Sequence, residues 1–405
     1  MSGSLQRLGT QCPEISSGLS RSAALLYAFV CGSAVATVYF SQPLLDEIAA
    51  EFGINNAVIG TVVTATQLCY ALGLFFLVPL GDLLDPRRLV TGMLALSAVA
   101  LSIVAFASNS LVLFAGMGLV GFLAVVAQVL VALAADRSSP DRRGQVIGLV
   151  TSGIVIGILL ARTFSGTMAD WMGWRSVYIT SAAITVCMAC AFLIVTPAVR
   201  RPFRKISYPD LLRSVKDLFM QVPLMRVRAA LAFFIFADFS ILWSSMVLPL
   251  SSSPFSLSHT AIGLFGLAGA AGALAAGRAG KLADRGLGER TTGAALLLLS
   301  VSWLPIGLLN SSLWFFAAGV VMLDFAVQAV HVTNQSMILS VRPEARSRMT
   351  GGYMIFYSFG SASGAAASTS VYSWAGWHGV CILGALISVV ALLFWAWTRR
   401  TSGGQ

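Results

Sequence analysis

Charge is what this sequence has least of. Only 10% of its 405 residues are Asp, Glu, Lys or Arg, whereas 57% are hydrophobic. Soluble domains carry about 25% charged residues, so this composition excludes the ordinary soluble class and points to a membrane. Histidine is scarcer still, with three residues at 259, 331 and 378. Without HExxH, GxSxG or clustered His, Cys and carboxylates, an intramembrane enzyme has no machinery, and neither metal nor cofactor is expected. A Walker sequence is also missing, which removes ATP as the energy source. Cysteine is sparse. Cys187 and Cys190 form a CxxC, but it lies deep in an apolar run without a second pair, where both act as small hydrophobes.

What is present is apolar sequence in long stretches. A helix needs about 20 apolar residues to cross the hydrocarbon core, and that criterion yields twelve spans. Spans 1 to 6 lie near 22–44, 57–80, 89–107, 111–133, 146–168 and 175–196. Spans 7 to 12 lie near 228–250, 261–279, 291–309, 313–339, 350–371 and 379–397. The first run is longer than a signal-peptide core and has no small-residue cleavage site after it, so it reads as a retained span. The fold class is therefore all-α and integral to the membrane.

Lys and Arg set the orientation. Arg87, Arg88, Arg137, Arg142 and Arg143 fall on one side, followed by the basic run Arg200 to Lys205 and then Arg285, Arg290, Arg346, Arg399 and Arg400. The opposite loops, such as "LLDEIAAEFGINN" and "SSSPFSLSHT", contain neither residue. Both termini are expected in the cytoplasm. The net charge of +10 is then a topology signal that calls for no nucleic acid. Trp171, Trp174, Trp314, Trp374 and Trp377 fall at the outer boundary and Trp395 and Trp397 at the inner one, the pattern of an aromatic belt.

The chain also repeats itself. Gly81 and Gly280 stand 199 residues apart, as do Asp85 and Asp284, in "GDLLDPRR" and "GKLADRGLGER". "SPDRRG" at 139–144 returns as "RPEARS" at 342–347, and "GWRSVYI" at 173–179 as "GWHGVCI" at 376–382. A parallel duplication of two six-helix bundles explains these matches: 1–198, a basic cytoplasmic linker at 199–226, and 227–405. In the linker, Leu211, Leu212, Val215, Leu218 and Phe219 share one helical face, which predicts an amphipathic tether on the inner surface.

Two six-span halves, a basic linker and a Gly-Asp-Arg phrase after spans 2 and 8 resemble the major facilitator superfamily, in particular its twelve-span drug and metabolite:proton antiporters. The superfamily pattern for the phrase is G-x-x-x-D-R-x-G-[RK]-[RK]. Here the first copy keeps Gly81, Asp85 and Arg88 but has Pro86 where Arg is usual. The second keeps Gly280, Asp284 and Arg285. Such loops suit a cytoplasmic gate, because glycine permits close helix approach and the aspartate can face a helix N-terminus or a basic residue. The plain alternative is a loop that merely stops two helices.

Span 5, "GLVTSGIVIGILLARTFSG", stands where proton-coupled exporters carry G-x8-G-x3-G-P-x2-G-G. Gly148, Gly157, Ala161, Arg162, Ser165 and Gly166 occupy those positions, with arginine in place of the proline. The small residues predict close packing against span 8. Arg162 lies about 24 Å from the cytoplasmic start of the span. It is open to three readings: snorkelling outward, pairing with Asp46 or Asp170, or contacting an anionic substrate. Span 4 lacks the arginine that many relatives link to proton coupling.

Charges near the midplane are expensive, about 2.5–3.5 kcal/mol each on insertion scales. Asp238 in span 7 and Asp324 in span 10 both fall there, and each is either functional or a protonated helix–helix contact. On span 10, Asp324, Gln328, His331 and Gln335 share one face, a polar stripe running toward the cytoplasm, with His331 able to titrate near neutral pH. Proton coupling is accordingly assigned to Asp238, Asp324 and His331. In the resembled superfamily spans 1, 4, 7 and 10 line the cavity, which adds Tyr39, Gln42 and Gln128 to Gln328, Gln335 and Arg162 as substrate contacts. Pro43 is expected to bend span 1 beside them.

The resulting expectation is a proton-coupled exporter of a small organic molecule, acting as a monomer in the bacterial inner membrane. The runner-up is an importer or uniporter of the same fold, without proton antiport.

Overall fold

A computed structural model describes residues 19–138, 142–197, 207–268, 279, 282–341 and 346–402. These residues are almost entirely helical, and no strand occurs among them. Most expected spans appear as helices with shifted ends. Spans 3 to 6 correspond to helices within 86–105, 110–136, 143–172 and 174–195. Spans 7 and 10 correspond to 223–251 and 313–341, and span 9 to the helix Gly288–Gly307. A single helix, Arg346–Ser402, carries both spans 11 and 12, with a break at Gly376, whose φ of 61° is the left-handed value that favours glycine.

Seven of the described helices are long and apolar enough to cross a membrane, fewer than the twelve expected spans. Spans 11 and 12 count as one helix and the span 9 helix is not among the seven; for spans 1, 2 and 8 the shortfall has local causes. Span 1 is helical only over Arg21–Ala36 and continues in tight turns, in which the N–H of Gln42 bonds to the carbonyl of Tyr39. Pro43 has no N–H to extend a regular helix, so the segment tightens into a 3-10 turn over Gln42–Leu44. Span 2 stops at Phe76, three residues before Pro79. Of span 8, only the outer part through Ala268 and the isolated Ala279 are described.

Glycines set how the helices meet, and they do so twice. A Cβ on Gly153 or Gly157 of span 5 would strike the backbone carbonyls of Ala28 or Gly32 in span 1. One on Gly360 or Gly364 of span 11 would strike those of Phe233 or Ala237 in span 7. Spans 1 and 5 in the first half thus pack as spans 7 and 11 do in the second. The contacts between halves are paired in the same way. Gly60 of span 2 lies against Ala365 of span 11, and Gly166 of span 5 against the His259 carbonyl at the start of span 8. Thr64 Oγ1 donates to the Ala362 carbonyl (2.8 Å) and Thr163 Oγ1 to that of Gly263 (3.0 Å). All of these lie toward the end poor in Lys and Arg, called the outer end here.

The linker helix runs Tyr208–Gln221. Leu218 joins Val222, Met225, Ile338, Met349 and Tyr353 in a small core of the second half, while Tyr208 donates its hydroxyl to the Phe76 carbonyl of the first half (2.8 Å). The side chain of Val215 lies outside the described residues. Of the expected belt, Trp171, Trp314 and Trp374 are exposed. Trp174 and Trp377 instead turn inward, to Glu51 (2.5 Å) and to the Ile306 carbonyl (3.2 Å).

Candidate functional site

Arg162 stands where the two halves meet. It is 2% exposed, so it neither snorkels nor reaches Asp46 or Asp170 as two of its readings had it. Its Nε donates to Gln42 Oε1 at 2.9 Å. Its guanidinium lies 3.7 Å from the ring centroid of Trp243 and 5.2 Å from those of Tyr39 and Phe239. Nη2 is buried without a hydrogen-bond partner. The tight turns near Pro43 present Gln42 to this centre, and Tyr39 sits beside it with its hydroxyl bonded to that of Tyr357 from span 11.

Trp243 links this cation to an anion. Its Nε1 donates to Asp324 Oδ1 at 3.1 Å. An aromatic ring is negative on its face and positive at its edge, so one indole satisfies a guanidinium above it and a carboxylate beside it. The charges come from different halves, Arg162 from span 5 and Asp324 from span 10. Nothing in the sequence pattern had marked Trp243. Its one signal was position, since belt tryptophans sit at the ends of spans and this one sits inside span 7.

The remaining stripe of span 10 is less buried than Asp324, with Gln328, His331 and Gln335 partly exposed toward the basic end. His331 Nδ1 lies 3.0 Å from the Tyr353 hydroxyl, and its ring meets Phe236 edge-on. Gln128 bonds to Tyr70 of span 2. Asp238 is fully buried, and both of its carboxylate oxygens accept from Trp303 Nε1 of span 9 (3.0 and 3.2 Å). It therefore faces its own half rather than sharing the Arg162 centre.

In the first copy of the Gly-Asp-Arg phrase, Asp85 accepts from the N–H of Arg87 (3.0 Å) and caps the helix of span 3, Arg87 reaches the Leu193 carbonyl (2.7 Å), and Arg88 is exposed. In the second copy Arg285 is exposed and Gly286 takes a φ of 77°. Gly280 and the Asp284 side chain lie outside the described residues. In span 5, Gly157 and Gly166 make the close contacts described above, whereas Gly148 has nothing near its missing Cβ.

An ion pair between a buried arginine and a partly exposed glutamate was not foreseen. Arg228, at the inner start of span 7, pairs with Glu289 and donates to Thr292 Oγ1 (3.0 Å) and Asn334 Oδ1 (3.2 Å), while Trp395 Nε1 holds the other Glu289 oxygen (2.9 Å). An apolar cavity of about 520 Å³ lies between spans 1, 5 and 6. Its walls include the exposed side chains Phe29, Ile156 and Leu160, so it is a groove on the expected lipid-facing flank.

The profile of the Major Facilitator Superfamily matches residues 25–292 and 228–404. The chain belongs to this superfamily. It is 45% identical over 377 residues to the uncharacterized transporter YgaY of Escherichia coli O157:H7, covering 93% of this chain and 95% of that one. It is 26% identical over 214 residues to the purine ribonucleoside efflux pump NepI of Escherichia coli O127:H6, covering 49% and 52%. Among solved structures, a bacterial homolog of the human lysosomal transporter Spinster, inward-facing and unoccupied, superposes with a TM-score of 0.76 at 15% identity over 94% of this chain and 97% of that one. The chain is thus a multi-pass membrane protein of a transporter family, and its relatives are transporters rather than enzymes.

Proposed function

We propose that this protein is a proton-coupled exporter of a small organic solute, working by alternating access in the inner membrane of a bacterium with both termini in the cytoplasm. The observation that carries the reading is the Arg162–Trp243–Asp324 centre, in which a buried cation and a buried carboxylate from opposite halves meet through one indole. Such charges persist in a membrane where they serve a pathway. A solute offering an N–H or cationic group to Asp324 competes with a proton there, and that competition is what antiport requires. The unpartnered Nη2 of Arg162 favours a solute that also carries a hydrogen-bond acceptor.

Tyr39, Gln42, Gln128, Gln328 and Gln335 are the further substrate contacts of this reading, and His331 lies on the proton's path from Asp324 toward the cytoplasm. Between the two midplane carboxylates, the contacts favour Asp324, because Asp238 is held inside its own half by Trp303. The protein works as a monomer, its partners being the solute, protons and the bilayer.

The test is substrate-triggered proton movement in inside-out vesicles with a pH-reporting dye, screening nucleosides first and then antibiotics, sugars and amino acids. Alkalinisation of the lumen by one compound, lost in Asp324→Asn, is the expected result. Isotope uptake without proton movement would overturn antiport and establish the uniporter.

A further inference from the structure

His259 is the first residue of the helix His259–Leu264, just outside the apolar run 261–279 of span 8, and belongs to the second half. Both of its ring nitrogens face carboxylates of the first half. Nε2 lies 3.1 Å from Asp46 Oδ1, on the short helix Leu45–Phe52 that follows span 1. Nδ1 lies 3.2 Å from Asp170 Oδ1, at the outer end of the span 5 helix. Asp170 also accepts from the backbone N–H groups of His259 (3.1 Å) and Thr260 (2.7 Å). A neutral imidazole has one N–H and one lone pair. It would satisfy one carboxylate and set its lone pair against the other, so only the doubly protonated ring donates to both.

We propose that His259, Asp46 and Asp170 form a proton-binding latch across the two halves, taking a proton from the outer solution when the halves close there and returning it when they part. The proposal rests on the alternating-access reading above. The three side chains are 20–24% exposed, which leaves the site within reach of the outer solution while fixing its geometry. Contacts on either side make it part of the closure: Gly166 abuts the His259 backbone and Gly263 abuts that of Arg162.

The charged groups facing the imidazole are acidic on both elements packed against it: Asp46 and Glu47 on the helix after span 1, and Asp170 on span 5. The hydrogen bond to Asp46 is the largest influence on His259 and raises its pKa. Burial opposes it, and the charge of Asp46, the hydrogen bond to Asp170 and the charge of Glu47 add to the rise, which takes the pKa from 6.5 to about 9. The sign follows by linkage. The closed form has the higher histidine pKa, so acid outside favours closure. That stabilisation is full below about 6.5 and is lost as the pH rises through about 9.

Two spin-label pairs in lipid nanodiscs test this on the full chain with its native cysteines replaced. Asn56 and Asn310, both exposed, report the outer end, and Leu84 and Ser340, also exposed, report the inner end. Between pH 6 and pH 9 the ratio of long to short outer distances is expected to rise at least about tenfold. His259→Asn should flatten that response, and Asp46→Asn should move it to lower pH, which keeps the test alive if one variant folds poorly. An outer distance that ignores pH in the wild type, or an unchanged response in His259→Asn, would overturn the latch. A pH response of the outer pair without an opposite change in the inner pair would support the latch and overturn alternating access instead.

Discussion

At the scale of single residues, the centre of the molecule depends on one indole. Trp243 presents its face to Arg162 and its N–H to Asp324, so neither charge is left to the apolar interior alone. Lysine cannot reproduce this, because its ammonium lacks both the planar surface that stacks on tryptophan and the fork that reaches Gln42. Arg162→Lys is therefore expected to lower the thermal stability of the purified protein and to cut solute-triggered proton movement at least about tenfold; dye-monitored unfolding and the vesicle assay read the two effects. The midplane aspartates should separate in the same assays. Asp238→Asn keeps an oxygen for Trp303 Nε1 and is expected to fold and move protons nearly as the wild type does, whereas Asp324→Asn folds but moves none. Equal loss in both variants would return Asp238 to the coupling machinery.

At the scale of helices, the close approaches depend on the missing Cβ of particular glycines. Gly157 lies on the Gly32 backbone and Gly364 on that of Ala237, so spans 1 and 5 are packed as spans 7 and 11 are. A side chain inserted there must push helices apart, which overpacking data put at about 1–3 kcal/mol. Gly157→Val should lower the unfolding midpoint of the detergent-solubilised protein by several degrees. Gly148→Ala, at a position with open space around it, should leave the midpoint unchanged or slightly raised, since alanine is the better helix former. A Gly148 variant as damaging as the Gly157 one would show that the contact geometry does not control stability.

At the scale of the whole molecule, the distribution of basic residues makes a prediction of its own. If the Lys- and Arg-rich end is cytoplasmic, a cysteine at exposed Asn56 reacts with a membrane-impermeant maleimide added to intact cells, and one at exposed Ser340 reacts only in inverted vesicles. The reverse pattern would invert the direction of transport proposed above. The pseudo-symmetric pairing of the halves also bears on how the chain moves. The contacts of span 2 with span 11 and of span 5 with span 8 lie at the outer end, and they are the ones that must separate if the protein opens outward.

The sequence by itself determined what local chemistry controls. Long apolar runs gave the membrane class, and the one-sided placement of Lys and Arg and the recurring Gly-Asp phrase gave an orientation and a duplication to test, because each is a property of short segments or of their order. It also picked out Asp238 and Asp324 as costly charges near the midplane, and Arg162 as the residue standing where the span 5 pattern has proline. Only the tertiary structure decided what those charges meet. Gln42 and Arg162 are 120 residues apart, Trp243 and Asp324 are 81 apart, and Asp46 and His259 are 213 apart. No periodicity reports on contacts between separate helices, within a half or across the two, since they depend on how helices rotate and approach after each span has formed. The same limit made the partner of Arg162 unreadable and left His259 unmarked. One histidine just outside an apolar run is unremarkable until folding brings two carboxylates to its two nitrogens.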